Sequence, residues 1–205
     1  NIGVAANGSH ALARGKSGGF IGGGAGGLPI GGTNAAVNNI ISGNTEYGVY
    51  LTNTTCNVIF GNYIGVDAGG LAALPNALGG VLLTTGATNN TIGGPVTGAQ
   101  NVISGNPTGP YYDYGLFVSG AGTTGNVIEG NYIGLGADGL TPVPNYYGII
   151  FAGGATGNTL GGPAAGAGNY IAGNTSYDVF LSDPGTRGNR VEGNFIGTDA
   201  TGTNA

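Results

Sequence analysis

Short apolar runs of three or four residues recur along the chain, and each is bounded by glycine, asparagine or another turn-forming residue. The runs read GVYL from residue 48, GVLL from 80, GLFV from 115, GIIF from 148 and DVFL from 178. None is long enough for a helix or shows the i, i+3, i+4 spacing of a helical face. Their β-branched and aliphatic residues therefore predict short strands joined by sharp turns.

Two further columns follow each run at a nearly constant distance. About ten residues on comes an asparagine, and two residues later an aliphatic side chain. The asparagines are Asn57, Asn90, Asn126, Asn158 and Asn189, and the aliphatic residues are Ile59, Ile92, Ile128, Leu160 and Val191. Five copies in the same register define a repeating unit of about 30–35 residues.

The units alternate in kind. The pentapeptide GNYIG occupies residues 61–65 and 130–134, and GNFIG occupies 193–197, so the complete period is a pair of units. Each pair spans about 62–69 residues, and three pairs account for the chain, 1–205, as a single domain.

Strands this short are stable only if each unit stacks on the next. Stacking at about 4.8 Å per unit lets every strand pair with its copies above and below. The sequence therefore predicts an all-β fold, a single-stranded parallel β-helix (β-solenoid) of about six coils with three short strands per coil. The aliphatic column is predicted to form an inward ladder, and the asparagine column a side-chain amide ladder at one corner.

The units also resemble a known family. The segments NTIGG, NVISGN and GNYIG look like the right-handed parallel β-helix repeats of the pectate-lyase-like, NosD-like superfamily of large bacterial secreted and cell-surface proteins. The resemblance covers nearly the whole chain. It implies a right-handed coil and an extracellular or cell-surface location. It implies no single activity, because such repeats occur in lyases, glycosidases, adhesins and structural stalks.

Composition narrows the choice of partners. Glycine makes up 48 of the 205 residues, charged residues are only 6%, and the net charge is −5. The few basic side chains cannot neutralise a nucleic-acid backbone, so we predict no nucleic-acid binding. No apolar stretch approaches the length of a membrane span. Asn-x-Ser/Thr sequons at Asn7, Asn53, Asn89 and Asn174 make the chain a candidate glycoprotein.

The carboxylates are too scattered to predict a catalytic site. Glu129 and Glu192 share one column but lie two coils apart, about 10 Å along the axis, at or beyond the upper limit for a glycosidase pair. We therefore predict no enzymatic activity, no catalytic residue and no cofactor. The loop acids Asp67, Asp138 and Asp199 offer one carboxylate each, which suffices at most for a weak Ca²⁺ site.

Three tyrosines precede the first strand of successive units, at Tyr114, Tyr147 and Tyr177. Stacked aromatic side chains stabilise a β face, which is the structural interpretation of this column. The same three rings are also a candidate platform for sugar rings.

The first and last segments of the chain match each other. IGVAANGSHAL at 2–12 and IGTDATGTNA at 196–205 both align with IGVDAGGLAAL at 64–74. Neither carries an atypical polar cap, so both ends are predicted to be uncapped and to expose strand edges that template pairing. We expect either flanking repeats of the same chain or head-to-tail stacking of copies. The seam of such a stack is predicted to hold Phe20, Ile21, Leu28, Ile30, Phe195 and Ile196.

Two classes of function fit these patterns. The leading hypothesis is a structural extracellular building block of a filament, stalk or surface fibre. The alternative is a carbohydrate-active or carbohydrate-binding fragment of a larger surface protein, with glycans as its partner. Cleavage of polysaccharides by the isolated chain would distinguish the second from the first.

Overall fold

The computed structural model describes residues 1–12, 15–34, 38–106 and 113–203. Across these residues the chain is all β, and its strands are two to six residues long. No helix in this part of the chain is long and apolar enough to cross a membrane. The predicted all-β class is confirmed.

The strands form three parallel sheets of six strands each. The first sheet contains β1 (Gly19–Ile21), β4 (Tyr47–Thr52), β7 (Gly79–Thr84), β10 (Tyr114–Ser119), β13 (Tyr147–Ala152) and β16 (Val179–Leu181). The second contains β2 (Pro29–Gly31), β5 (Val58–Phe60), β8 (Thr91–Gly93), β11 (Val127–Glu129), β14 (Thr159–Gly161) and β17 (Arg190–Glu192). The third contains β3 (Ile40–Ile41), β6 (Tyr63–Ile64), β9 (Val102–Ile103), β12 (Tyr132–Ile133), β15 (Tyr170–Ile171) and β18 (Phe195–Ile196).

Each coil contributes one strand to every sheet. Coil 1 comprises β1 to β3, and the later coils follow in the same way up to coil 6, which comprises β16 to β18. Strands of neighbouring coils are parallel and in register, so Ile128 pairs with Ile92 on one side and Leu160 on the other. This is the predicted β-solenoid with three strands per coil.

The core is a narrow apolar column enclosed by the three sheets. Alternate residues of each strand point inward, as with Val49 and Leu51 of β4, which are fully buried while Tyr50 between them faces out. The second sheet contributes Ile59, Ile92, Ile128 and Leu160, all fully buried. Each inward side chain packs against its copies in the adjacent coils. The inward side chains of successive coils therefore form one continuous apolar cluster.

Candidate functional site

The five asparagines of the predicted column lie at the corner before the strands of the second sheet. Each Nδ2 donates to the Oδ1 of the next asparagine along the axis. The distances are 2.8 Å from Asn57 to Asn90, 2.9 Å from Asn90 to Asn126, 2.8 Å from Asn126 to Asn158 and 2.9 Å from Asn158 to Asn189. The column is a continuous amide ladder through five coils.

Two further asparagine ladders occupy the other two corners of the coil, and sequence analysis missed both. Their Nδ2–Oδ1 distances are 2.7–3.1 Å. The ladder before the third sheet contains Asn39, Asn62, Asn101, Asn131, Asn169 and Asn194, and the ladder after it contains Asn44, Asn76, Asn106, Asn145 and Asn174. The signal was present in the asparagine of GNYIG and in the recurrent GN and PN pairs.

An internal ladder amide has every hydrogen-bonding position filled. The Oδ1 of Asn126 accepts from both the main-chain N and the Nδ2 of Asn90, each at 2.9 Å. Its Nδ2 donates to Asn158 Oδ1 at 2.8 Å and to the Ala87 carbonyl at 2.9 Å. Asn126 is fully buried, and a buried polar group is tolerated when it is satisfied in this way. The ladders therefore fix the corners without exposing the core.

All three ladders run in the same direction. The donor lies in the coil nearer the N-terminus and the acceptor in the next coil, so the two ends of the described stack differ chemically. At coil 6, the Nδ2 groups of Asn189 and Asn194 reach only main-chain carbonyls, and the described residues offer them no further ladder oxygen. At these two corners the coil 6 face carries hydrogen-bond donors, whereas the third ladder ends at Asn174, whose Nδ2 donates to Asp178 Oδ1 at 2.8 Å.

Coil 6 also exposes the apolar ladders that are buried elsewhere. Val191 is 42% exposed and Ile196 45% exposed, whereas their counterparts in coil 4, Ile128 and Ile133, are completely buried. Phe195 is exposed to a similar degree. Val191 continues the predicted aliphatic ladder, paired with Leu160, but one side of it is open.

The other predicted seam residues lie in coil 1, where they differ in orientation. Phe20 is 64% exposed and pairs with the outward Tyr50. Leu28 is also exposed, and it holds the first position of the asparagine column, where its main-chain N donates to Asn57 Oδ1 at 3.1 Å. Ile21 is buried and Ile30 is partly buried against the apolar column. Coil 1 thus offers a less open apolar face than coil 6.

Part of the coil 1 face is covered by the first residues of the chain. Ile2 pairs in parallel with Ile41, and its main-chain N donates to the Ile40 carbonyl at 2.7 Å. Ile2 therefore holds the place of a strand of the third sheet one coil before β3. That is the place Ile196 holds in coil 6, as the matching segments 2–12 and 196–205 predict.

The three tyrosines of the candidate sugar platform are not equivalent. The Tyr147 and Tyr177 rings stack with centroids 5.9 Å apart and planes at 1°. The Tyr114 ring instead stacks on Tyr47 at 6.2 Å, across the position of Gly79, and only 2% of Tyr114 is exposed. Burial, then the neighbouring Tyr47, raises the pKa of Tyr114 well above its usual range. Stacked rings turn their faces to each other, which supports the structural interpretation of this column, and Tyr114 is too buried to contact a sugar.

The loop acids are bonded within their own loops. Asp67 accepts from the main-chain N of Leu71 at 3.1 Å, and Asp138 accepts from Thr141 N at 2.9 Å, a bond that lowers the pKa of Asp138. Asp199 accepts from Thr201 N at 3.0 Å. The described residues contain no group of three or more His, Cys, Asp or Glu side chains that could hold a metal ion. A Ca²⁺ site at these loops stays a prediction.

The two glutamates that share a column lie on β11 and β17, with Gly161 of β14 between them in the register. Burial raises the pKa of Glu129. Two coils separate the carboxylates, about 10 Å along the axis. At this distance the two carboxylates do not form an acid–base pair.

No protein-family model, curated protein or solved structure matches this chain. The structure defines the class, a parallel β-solenoid built on repeated coils. Membership of the pectate-lyase-like superfamily and the right-handed coil stay predictions.

Proposed function

We propose that the protein is a structural β-solenoid, an extracellular building block of a filament, stalk or surface layer that stacks end to end. The observation that carries this proposal is the coil 6 face, where half-exposed Val191 and Ile196 continue buried ladders and Phe195 lies beside them on the outer face of the third sheet. Water can hydrogen-bond to the main chain of this face, but it cannot satisfy the apolar ladders. A further coil of the same register would bury them, and we propose that a second copy of the chain supplies it.

The direction of the asparagine ladders favours head-to-tail stacking. Two coil 6 faces brought together would place donors against donors, whereas a coil 1 face can offer acceptors. In a head-to-tail stack, Asn39 of the incoming copy lies opposite Asn194 and presents its Oδ1. Leu28 lies opposite Asn189 and has no side-chain acceptor, so the seam is weaker than an internal contact. This supports reversible association that repeats along one axis.

The first residues of the incoming copy must move for all three sheets to join. When β1 of the second copy pairs with β16 of the first, Ile2 of the second copy falls on the place already held by Ile196. Only one of the two segments can occupy it. Segment 2–12 is bonded to coils 1 and 2 through Ile2 N to Ile40 O at 2.7 Å, Ser42 N to Ile2 O at 3.1 Å and Ala68 N to Gly8 O at 3.2 Å. We propose that it is the displaced segment and that these bonds break before the new seam forms. Assembly should therefore be slow and concentration-dependent.

The proposal includes no catalytic turnover. It is supported by the separation of Glu129 from Glu192 and by loop carboxylates that are bonded within their own turns. The alternative class, a carbohydrate-active fragment, needs convergent acid and base groups. Release of reducing or unsaturated ends from polysaccharides, abolished by Glu129→Gln or Glu192→Gln, would establish that alternative.

Sedimentation velocity and negative-stain electron microscopy over a concentration series test the stacking directly. The chain should form rods that lengthen with concentration. Val191→Asp places a charge on the coil 6 face and should abolish the rods, whereas Val58→Asp, a charge on an exposed outward valine of coil 2, should leave them intact. Ile2→Asp should loosen segment 2–12 and promote assembly. A chain that stays monomeric at every concentration, with or without Ile2→Asp, overturns end-to-end stacking.

A further inference from the structure

The outer face of the third sheet carries one side chain per coil, and these side chains are all apolar or aromatic. They pair in register as Ile40, Tyr63, Val102, Tyr132, Tyr170 and Phe195. Tyr63 and Tyr132 lie two coils apart, about 10 Å along the axis, with the shorter Val102 between them. Val102 is only 2% exposed and packs with Val66 and Val143, and a cavity lined by Val102 and both tyrosines marks a shallow depression at this point.

Loops on both sides turn this depression into a groove. One wall is formed by the loops after β6 and β12, which contribute Ala68 and Ala137 and stack through the Ala137 N to Gly70 O bond at 2.9 Å. The opposite wall contains Asn38 and Gln100, and Gln100 Oε1 accepts from Gly98 N at 2.8 Å. Both walls are formed by segments that flank strands of the third sheet.

Two neighbouring cavities lie along the groove. One has a volume of about 190 Å³ and the other about 140 Å³, and both are bounded by Asn38 and Tyr63. The groove runs parallel to the solenoid axis from coil 1 to coil 4, with Tyr63 and Tyr132 on its floor. Its shape suits an extended chain rather than a compact ligand.

The lining selects a neutral ligand. The described residues that line the two cavities include no charged side chain, and their polar groups are amides and phenol hydroxyls. Burial, then Tyr170, then the nearby Asp138 raises the pKa of Tyr132. The Asp138 carboxylate makes the potential at this end of the groove negative, which disfavours an anionic ligand.

Asn38 adds a hydrogen-bonding requirement. Its Oδ1 is buried and has no hydrogen-bond partner. A buried acceptor without a donor is unfavourable, and rotation of the amide toward the groove would let a ligand hydroxyl supply the missing donor. Asn38 borders both cavities, so such a hydroxyl would sit at their junction.

From these observations we infer that the groove binds a neutral glycan, an uncharged polysaccharide segment lying along the axis. Its sugar rings pack their apolar C–H faces on Tyr63 and Tyr132, and its hydroxyls bond to the amides of Asn38 and Gln100. The site lies on the side of the rod, away from the coil 6 face, so it does not depend on end-to-end stacking. The rod would then carry a glycan contact on its flank.

Affinity electrophoresis in gels that contain a neutral polysaccharide tests this inference, with titration of neutral and acidic oligosaccharides to obtain dissociation constants. The neutral probes are cello-, xylo- and manno-hexaose, and the acidic probe is a galacturonate hexamer. At least one neutral probe should bind, and the acidic probe should bind more weakly. Tyr63→Ala should weaken binding about tenfold or more, the loss of one aromatic contact.

Two further variants test whether the groove itself binds the glycan: one fills the groove, and the other removes a tyrosine outside it. Val102→Phe places a ring between Tyr63 and Tyr132 and should block binding while adding apolar contact. Tyr177→Ala removes an exposed ring from the first sheet side of the rod and should leave binding unchanged. Circular dichroism of each variant verifies the fold. Binding of no neutral probe, preference for the acidic probe, or equal losses in Tyr63→Ala and Tyr177→Ala would overturn the inference.

Discussion

Coil 4 and coil 6 contain the same columns of residues in very different environments. Ile128 of coil 4 is completely buried, whereas Val191, two coils further along the same ladder, is 42% exposed. The amide of Asn126 is covered by a coil on each side, whereas that of Asn189 has a described neighbour on one side only. A coil therefore acquires a core and saturated corners only from its neighbours, which is the stability pattern of a stacked repeat protein.

The largest difference between the two coils is expected for a charge in the aliphatic ladder. Ile128→Asp places an unpaired carboxylate in a dry core and should lower the free energy of unfolding by at least about 4 kcal/mol, or prevent folding. Val191→Asp leaves the carboxylate in contact with water and should cost about 1 kcal/mol. Chemical denaturation of both variants checks this. Equal losses would show that position along the stack does not matter.

Glycines of the repeated GNYIG and GNFIG motifs give the next largest contrast. Gly134 has φ +85° and a Cβ there would lie 2.3 Å from the Ala172 carbonyl oxygen of the next coil. Gly197 has φ +78°, but a Cβ there would meet no atom within 4 Å. Both alanine variants suffer the left-handed backbone penalty of about 1–2 kcal/mol. Gly134→Ala also forces the coils apart and should cost about 3 kcal/mol in total.

Thermal unfolding of the two glycine variants separates these contributions. The melting temperature should fall clearly further for Gly134→Ala than for Gly197→Ala. Matching shifts would mean that the coils are not held as closely as the structure indicates.

A smaller contrast is expected for the amide ladder. Asn126→Ala leaves the main-chain N of Asn90 without its acceptor and removes one hydrogen bond from the amide on each side, in a buried corner, which should cost about 2–3 kcal/mol. Asn189→Ala interrupts the ladder at its last rung and should cost about 1 kcal/mol. Urea unfolding monitored by circular dichroism measures both. A neutral Asn126→Ala would refute a stabilising role for the ladder.

The smallest contrast concerns the two glutamates of one column and depends on pH. Burial raises the pKa of Glu129 in the folded state, so ionisation is easier in the unfolded chain and stability falls as pH rises through this pKa. Glu129→Gln should therefore raise the melting temperature slightly at neutral pH and lose this advantage in acid. Glu192→Gln, in the exposed β17, serves as the charge-matched control. An advantage that persists unchanged in acid would contradict this assignment.

Much of the fold could be predicted because the repeat itself carries the information. The columns of apolar runs and of Ile59, Ile92 and Ile128 specify which residues pair, and the register follows. The second and third asparagine ladders were missed because asparagine beside glycine is also the usual composition of an exposed turn. Only the stacking of coils distinguishes a ladder asparagine from an asparagine in an exposed turn, because the ladder bond needs the Oδ1 of an asparagine in the next coil.

The aromatic column shows a different limit of sequence reasoning. Tyr114 and Tyr147 are register partners, so the sequence places them on successive coils correctly. Their rings turn in opposite directions because Gly79 leaves a gap that the Tyr47 and Tyr114 rings close at 6.2 Å. The direction of a ring depends on such local gaps. The groove beside Val102 likewise arises where a small side chain lies between two larger ones in a column. A column of residue types therefore predicts position but does not fix which ring face is open.

Native-state hydrogen exchange is the most direct test of the claim that coils acquire protection from their neighbours and that coil 6 accepts another coil. Main-chain amides of β11 and β12 should exchange slowest and those of β17 and β18 fastest in dilute protein. Raising the concentration should slow exchange in β17 and β18 selectively, and Val191→Asp should abolish that slowing. Equal protection in coils 4 and 6, unchanged by concentration, would contradict the account.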